Sequence, residues 1–178
     1  MRKISPGRLA LLGLCAALLA CGRAVAADLA EFKSDGCSRF PDGSYYSCCY
    51  VHDFAYWAGG TEEERKSADG ALRACVKEIT GSGLLAGLMY WGVRTWGGPG
   101  HDTSYRWGYG WPFPYREDYS ALSADELKQV AAGTRKLCAS MRLNPATGDY
   151  IVDTDKEISA AQAKGICPEI AAPAAAAP

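Results

Sequence analysis

Cys48-Cys49-Tyr50-Val51-His52-Asp53 is the stretch from which the chain is best read. It lies in residues 45–58, a run without breakers that Gly59-Gly60 stops, so a helix is expected there. On that helix a cysteine stands three residues before His52, on the same side. A bridge from it would clamp the histidine's backbone against another element. Asp53 is adjacent but points elsewhere, so it serves a different partner. A hard cation such as calcium, which takes carboxylate and backbone carbonyl oxygens, is the natural one. The preceding loop, Asp35-Gly36-Cys37-Ser38-Arg39-Phe40-Pro41-Asp42-Gly43, would supply carbonyls if a Cys37 disulfide tied it to this helix.

Beyond Gly60, Thr61 and Glu64 make a capping box, and Glu62, Glu63 and Glu64 complement the dipole of a second helix. Ala68, Leu72, Cys75, Val76 and Ile79 recur at helical spacing until Gly81. Two antiparallel helices joined by a short turn are expected. Asp69 flanks that apolar stripe. A carboxylate there is costly to bury unless paired. It either rests at a solvated edge, pairing with Arg65 or Arg73 one turn away, or it meets His52, the only histidine on the first helix. A carboxylate holding one imidazole nitrogen sets the tautomer and leaves the other nitrogen as a base.

Working outward, Arg2, Lys3 and Arg8, the apolar residues 9–20 and Ala24-Val25-Ala26 read as a secretory signal over residues 1–26. Leu18-Leu19-Ala20-Cys21 also resembles a lipoprotein processing site, which would leave the protein anchored through Cys21. The expected location is therefore secreted or periplasmic, with a membrane-anchored lipoprotein as the alternative. Without the leader, about fifteen basic residues face twenty acidic ones, a net charge near −5 that disfavours nucleic acid as a partner. Of eight cysteines two fall in the leader, leaving Cys37, Cys48, Cys49, Cys75, Cys138 and Cys167, an even number that reads as a disulfide framework in an exported chain.

Residues 84–96 are apolar and aromatic and predict a short helix. A loop rich in Gly, Pro and aromatics follows over residues 97–115. Its aromatics (Tyr90, Trp91, Trp96, Tyr105, Trp107, Tyr109, Trp111 and Phe113 counting the helix) suit either a packed loop core or a lipid-docking surface. His101-Asp102, in a Gly/Pro loop without cysteines nearby, is expected to be structural or incidental. Ser123 with Glu126 caps another helix bearing Leu127, Val130, Ala131, Leu137, Cys138 and Met141. Residues 155–164 predict a last helix stopped by Gly165, and the Ala/Pro tail, residues 169–178, is expected to be disordered. The fold class expected is mainly α: a stapled pair of antiparallel helices after a metal-binding loop (core 35–80), with further C-terminal helices to residue 168.

Cys48-Cys49-x-x-His52-Asp53-x-x-Tyr56 resembles the C-C-x-x-H-D-x-C-Y signature of secreted phospholipases A2. In that family the aspartate that partners the histidine lies six residues before a half-cystine on the next long helix, as Asp69 does before Cys75. One family bridge is absent, with Ala55 and Ala68 standing at its two ends. The glycine-rich calcium loop of the family is not reproduced around residues 38–43, and the arrangement looks closer to the smaller prokaryotic members.

The resemblance implies disulfides Cys37–Cys49 and Cys48–Cys75, leaving Cys138 for Cys167. It implies His52 and Asp69 as the catalytic pair with Tyr56 bonded to Asp69, and calcium held by Asp53, Asp35 and the carbonyl of Gly36. The activity implied is calcium-dependent hydrolysis of the sn-2 ester of glycerophospholipids at a membrane or micelle interface. No serine nucleophile is needed, and no G-x-S-x-G elbow is present. The alternative is a non-catalytic, phospholipase-like envelope protein that binds calcium or a partner.

Overall fold

The computed structural model describes residues 27–153 and 155–169. The leader, Cys21 and the tail from Ala171 lie outside the described residues. The described chain is mainly helical: α1 (Tyr46–Ala58), α2 (Glu62–Thr80), α3 (Gly83–Trp96), α4 (Ala124–Ser140) and α5 (Ala160–Ile166), with a three-stranded antiparallel sheet of two-residue strands. Among the described residues no helix is long and apolar enough to cross a membrane.

The turn between α1 and α2 is three residues long because Gly59 (φ 72°) and Gly60 (φ 145°) take backbone angles that a side chain disfavours. Thr61 then caps α2, its hydroxyl accepting from Glu64 N while Glu64 returns to the Thr61 N–H. Contacts between the two helices fall in descending register: Cys48 bridges Cys75, His52 meets Asp69, and Tyr56 meets Arg65. That order makes the pair antiparallel.

Helix α1 is buried on two sides. Tyr46, Tyr50 and Trp57 pack with Phe32, Met141, Tyr150, Ile158, Ala163 and Ile166 in one core. Cys48 and Cys49 pack with Cys37, Leu72, Val76, Ala86 and Met89 in the other. Three disulfides close the framework: Cys37–Cys49 and Cys48–Cys75, the pairings the family resemblance implied, and Cys138–Cys167, the pair left over. The first fastens the 27–45 loop to α1 and the third fastens α4 to the end of α5.

Three expectations need correction. Residues 155–164 are not one helix: Glu157–Ile158 forms a strand pairing with Tyr150–Ile151, which pairs in turn with Arg142–Leu143. Helix α5 begins only after the Ser159 cap and runs through Gly165 to Ile166. Strands of two residues are too short to show alternation, so they left no periodic trace. The α2 stripe also ends early, since Ile79 is exposed, and Leu127 on α4 is exposed as well. On α4 it is instead Glu126 that is buried, paired with Arg116 at 2.7 Å.

The aromatic loop caps α1. Gly108 N donates to Tyr56 O (2.6 Å), Gly110 N to Trp57 O (3.1 Å) and Trp111 Nε1 to Ala58 O (2.8 Å). These satisfy carbonyls that the end of a helix leaves without partners. Buried Arg106 holds the loop's shape by donating to the carbonyls of Gly108 (2.9 Å) and Trp111. The packing leaves no slack at Gly110, where an added Cβ would lie 2.4 Å from Trp57 Cδ1. Gly110→Ala is therefore expected to destabilise by about 1–3 kcal/mol, read as a fall in Tm; an unchanged Tm would mean that the loop yields freely.

Candidate active site

His52 is buried on α1, held on one side by the disulfides at Cys48 and Cys49 and at its C-terminal end by the capped turn. Its Nε2 lies 2.9 Å from Asp69 Oδ1, and Asp69 is wholly inaccessible to solvent. Tyr56, one turn along α1, donates to the same oxygen at 2.7 Å. The Tyr56 hydroxyl in turn accepts from Arg65 Nε at 3.0 Å. Burial and the neighbouring Asp69 charge raise the Tyr56 phenol well above its ordinary value, so it stays a donor.

Asp69 shows a contest of effects. Burial alone would push its carboxyl up, but hydrogen bonds from His52, Tyr56 and Arg94 outweigh that and hold it below the usual carboxylate value. Asp69 is therefore ionised and accepts from a protonated Nε2. In the neutral ring such a bond leaves the lone pair on Nδ1, and His52 lines a cavity of about 500 Å³. Of the two cationic partners considered from sequence, Arg65 lies 3.8 Å from Asp69 Oδ2, while Arg73 instead covers the Tyr90 ring.

Arg94, which the sequence reading passed over, donates from Nη1 to Asp69 Oδ2 at 2.9 Å. A signal was available, because Arg94 is the sole charge in the α3 sequence GLLAGLMYWGVRTW. Ser34 was also missed: its hydroxyl donates to Asp53 Oδ2 at 2.6 Å.

The same cavity is lined by Asp53, Asp35 and Gly36, with Phe40, Met89, Gly92, Val93, Trp96 and Tyr109 among its apolar walls. Asp53 is buried and has no ion pair with Lys, Arg or His among the described residues. Burial pushes its carboxyl up; the Ser34 hydroxyl opposes that, the Asp35 and Asp42 charges add to it, and it comes to about 8. Asp35 accepts from the Ser38 hydroxyl at 2.8 Å, and Gly36 is buried at φ 73° against Asp42. Among the described residues no three or more His, Cys, Asp or Glu side chains are placed together to hold a metal ion, so any cation here would depend on backbone oxygens as well.

His101 and Asp102 are exposed and do not line this cavity. The aromatic segment divides. Trp107 and Trp111 are buried in the cap of α1, whereas Trp91 and Trp96 are 70% and 64% exposed. Comparison with protein-family models, curated proteins and solved structures finds no match.

Proposed function

We propose that the protein hydrolyses the sn-2 ester of glycerophospholipids with water activated by His52, in the manner of the secreted phospholipases A2 that its signature resembles. One observation carries the reading: a buried Asp69 takes Nε2 of a histidine that lines an apolar cavity beside a second buried carboxylate. In the reaction His52 Nδ1 takes a proton from water, and the water oxygen attacks the ester carbonyl. Asp69 holds the ring and stabilises the imidazolium. The imidazolium then returns the proton to the departing alkoxide, giving a fatty acid and a lysophospholipid. The apolar walls supply room for an acyl chain.

Calcium fits the donor chemistry at Asp53. A buried carboxylate pushed up to about 8, beside Asp35 and without an ion-pair partner among the described residues, is an uncompensated site that a hard cation would neutralise. Asp53, Asp35 and the carbonyl of Gly36 would hold it. When bound, calcium would supply positive charge for the phosphate and for the oxyanion that develops at the ester. The direct test is release of fatty acid from mixed phospholipid vesicles with calcium and with EGTA. Turnover that survives chelation would remove Asp53 from this role.

The lipid surface is proposed to meet the outer face of α3. Leu84, Leu88 and Trp91 follow at i, i+4 and i+7 and are 77%, 54% and 70% exposed. Ala86, Met89 and Val93 face the core or the cavity. Trp96 joins the two faces, being exposed and also part of the cavity lining. Because the chain without its leader is acidic, apolar contact suits docking better than charge attraction. Replacing Leu88 and Trp91 by Ser is expected to lower hydrolysis of vesicles about 10-fold and to spare a short-chain, monomeric phospholipid. Equal losses on both substrates would place these residues elsewhere in the function.

A further inference from the structure

We infer that Arg94 is a positioning residue for the His52–Asp69 pair, acting from the last turn of α3 by fixing the outer oxygen of Asp69. Where this concerns turnover it rests on the hydrolase reading above; where it concerns the state of His52 it does not.

The two oxygens of Asp69 are occupied differently. Oδ1 accepts from both His52 Nε2 (2.9 Å) and Tyr56 (2.7 Å), which uses its two lone-pair directions. Oδ2 has one hydrogen bond, from Arg94 Nη1 at 2.9 Å, with Arg65 Nε more distant at 3.8 Å. Rotation of a carboxylate about its last torsion is soft. In a site with no solvent access the outer oxygen must find a donor, and without Arg94 the group gains by turning toward Arg65. Any such turn takes Oδ1 away from Nε2. Arg94 therefore determines where the carboxylate points, and through it which imidazole nitrogen carries the proton.

A second group seats Arg94. Arg65, itself buried, passes its Nη2 to the carbonyls of Val93 (2.6 Å) and Arg94 (3.0 Å), and its Nη1 to the Tyr119 hydroxyl. These carbonyls lie at the C-terminal end of α3, where a cation is favoured by the helix dipole. Arg65 thus anchors the turn from which Arg94 reaches Asp69. The same turn contributes Val93 and Trp96 to the cavity, so the wall that would contact substrate and the carboxylate that orients the base share one support. The groups facing Asp69 are then His52 and Tyr56 from α1, Arg65 from α2 and Arg94 from α3.

A purely structural role would give a different pattern. Without Arg94 the buried Asp69 still has Arg65 Nε 3.8 Å from Oδ2 as a cation to turn toward, so its loss should cost the fold little beside its effect on His52. The effect is expected at His52. In the full chain carrying Arg94→Gln, nitrogen NMR at one fixed alkaline pH should show His52 changing from the Nε2–H tautomer to a mixture. His101, the only other histidine and an exposed one, is the internal control. Arg94→Lys should restore most of the Nε2–H form. On a monomeric phospholipid, kcat should fall about 10- to 100-fold in Arg94→Gln, with KM within about two-fold and Tm nearly unchanged. A wild-type tautomer and wild-type kcat in Arg94→Gln would overturn the inference, and so would a fall in Tm alone. Should the unsubstituted protein fail to hydrolyse phospholipid, the function proposed above fails, while the NMR comparison still decides whether Arg94 orients the pair.

Discussion

Replacing His52 by Gln is expected to lower calcium-dependent release of fatty acid by about 10³-fold, within the range of general-base catalysis, while leaving the fold intact. Glutamine keeps a side-chain N–H for Asp69 but brings no basic nitrogen to the cavity. The buried carboxylate stays partnered by Tyr56 and Arg94, so stability should change little. The measurement is fatty-acid release from mixed vesicles beside a circular-dichroism melt of the same preparation. Equal activity in the variant would end the mechanism. Lost activity with a collapsed melt would leave Gln a poor replacement, and His52→Asn, shorter and still polar, separates the two cases: a folded, inactive Asn variant supports the base role, and a folded, active one refutes it.

The second large effect belongs to Asp53, and it has opposite signs on activity and stability. Asp53→Asn is expected to abolish calcium-dependent turnover and calcium-induced stabilisation, yet to make the metal-free protein more stable at alkaline pH. In the folded chain burial pushes the carboxyl from 3.8 up to about 8, with Asp35 and Asp42 adding to the shift. Between these values the folded state binds more protons than the unfolded one, so stability must fall as pH rises. This contribution is whole below about 4 and lost as pH climbs through about 8. Asparagine cannot ionise and lacks that loss. In EGTA, melting curves from pH 5 to pH 9 should diverge, with Asp53→Asn ahead by roughly 4 °C at the alkaline end. Calcium should remove the gap for the unsubstituted protein only, releasing a proton as it binds near neutral pH. Parallel melting curves, or calcium binding that survives in the variant, would show that Asp53 is neither uncompensated nor a ligand.

Much of the site's frame was legible before the structure because it depends on short-range rules. The capping boxes at Thr61 and Ser123, the Gly59-Gly60 break and the αL glycine at Gly81 each act within a few residues, and all appear where expected. The helix pattern alone left Asp69 between a solvated edge and His52; the family resemblance implied the His52–Asp69 pair and the Cys48–Cys75 bridge, and both contacts are present. The aromatic segment was less tractable. A tryptophan that caps a helix and one that faces solvent share the same local composition, and only packing sorted Trp107 and Trp111 from Trp91 and Trp96.

By itself the sequence determined the helix pair, its breaks and caps, and the residue types at the candidate centre, since periodicity and turn chemistry are local. Tertiary structure decided what surrounds that centre. Arg94 is 25 residues from Asp69, and Trp111 is 53 from the carbonyl it caps. Groups so far apart meet only when α3 and the aromatic loop pack, and no local pattern records that meeting. The three short strands followed the same logic, gaining their partners from the fold and not from alternation along the chain. The surroundings of Asp53 were set that way too: its burial, the Ser34 hydroxyl and the missing cation partner among the described residues arise where the 27–45 loop closes over α1 through Cys37–Cys49.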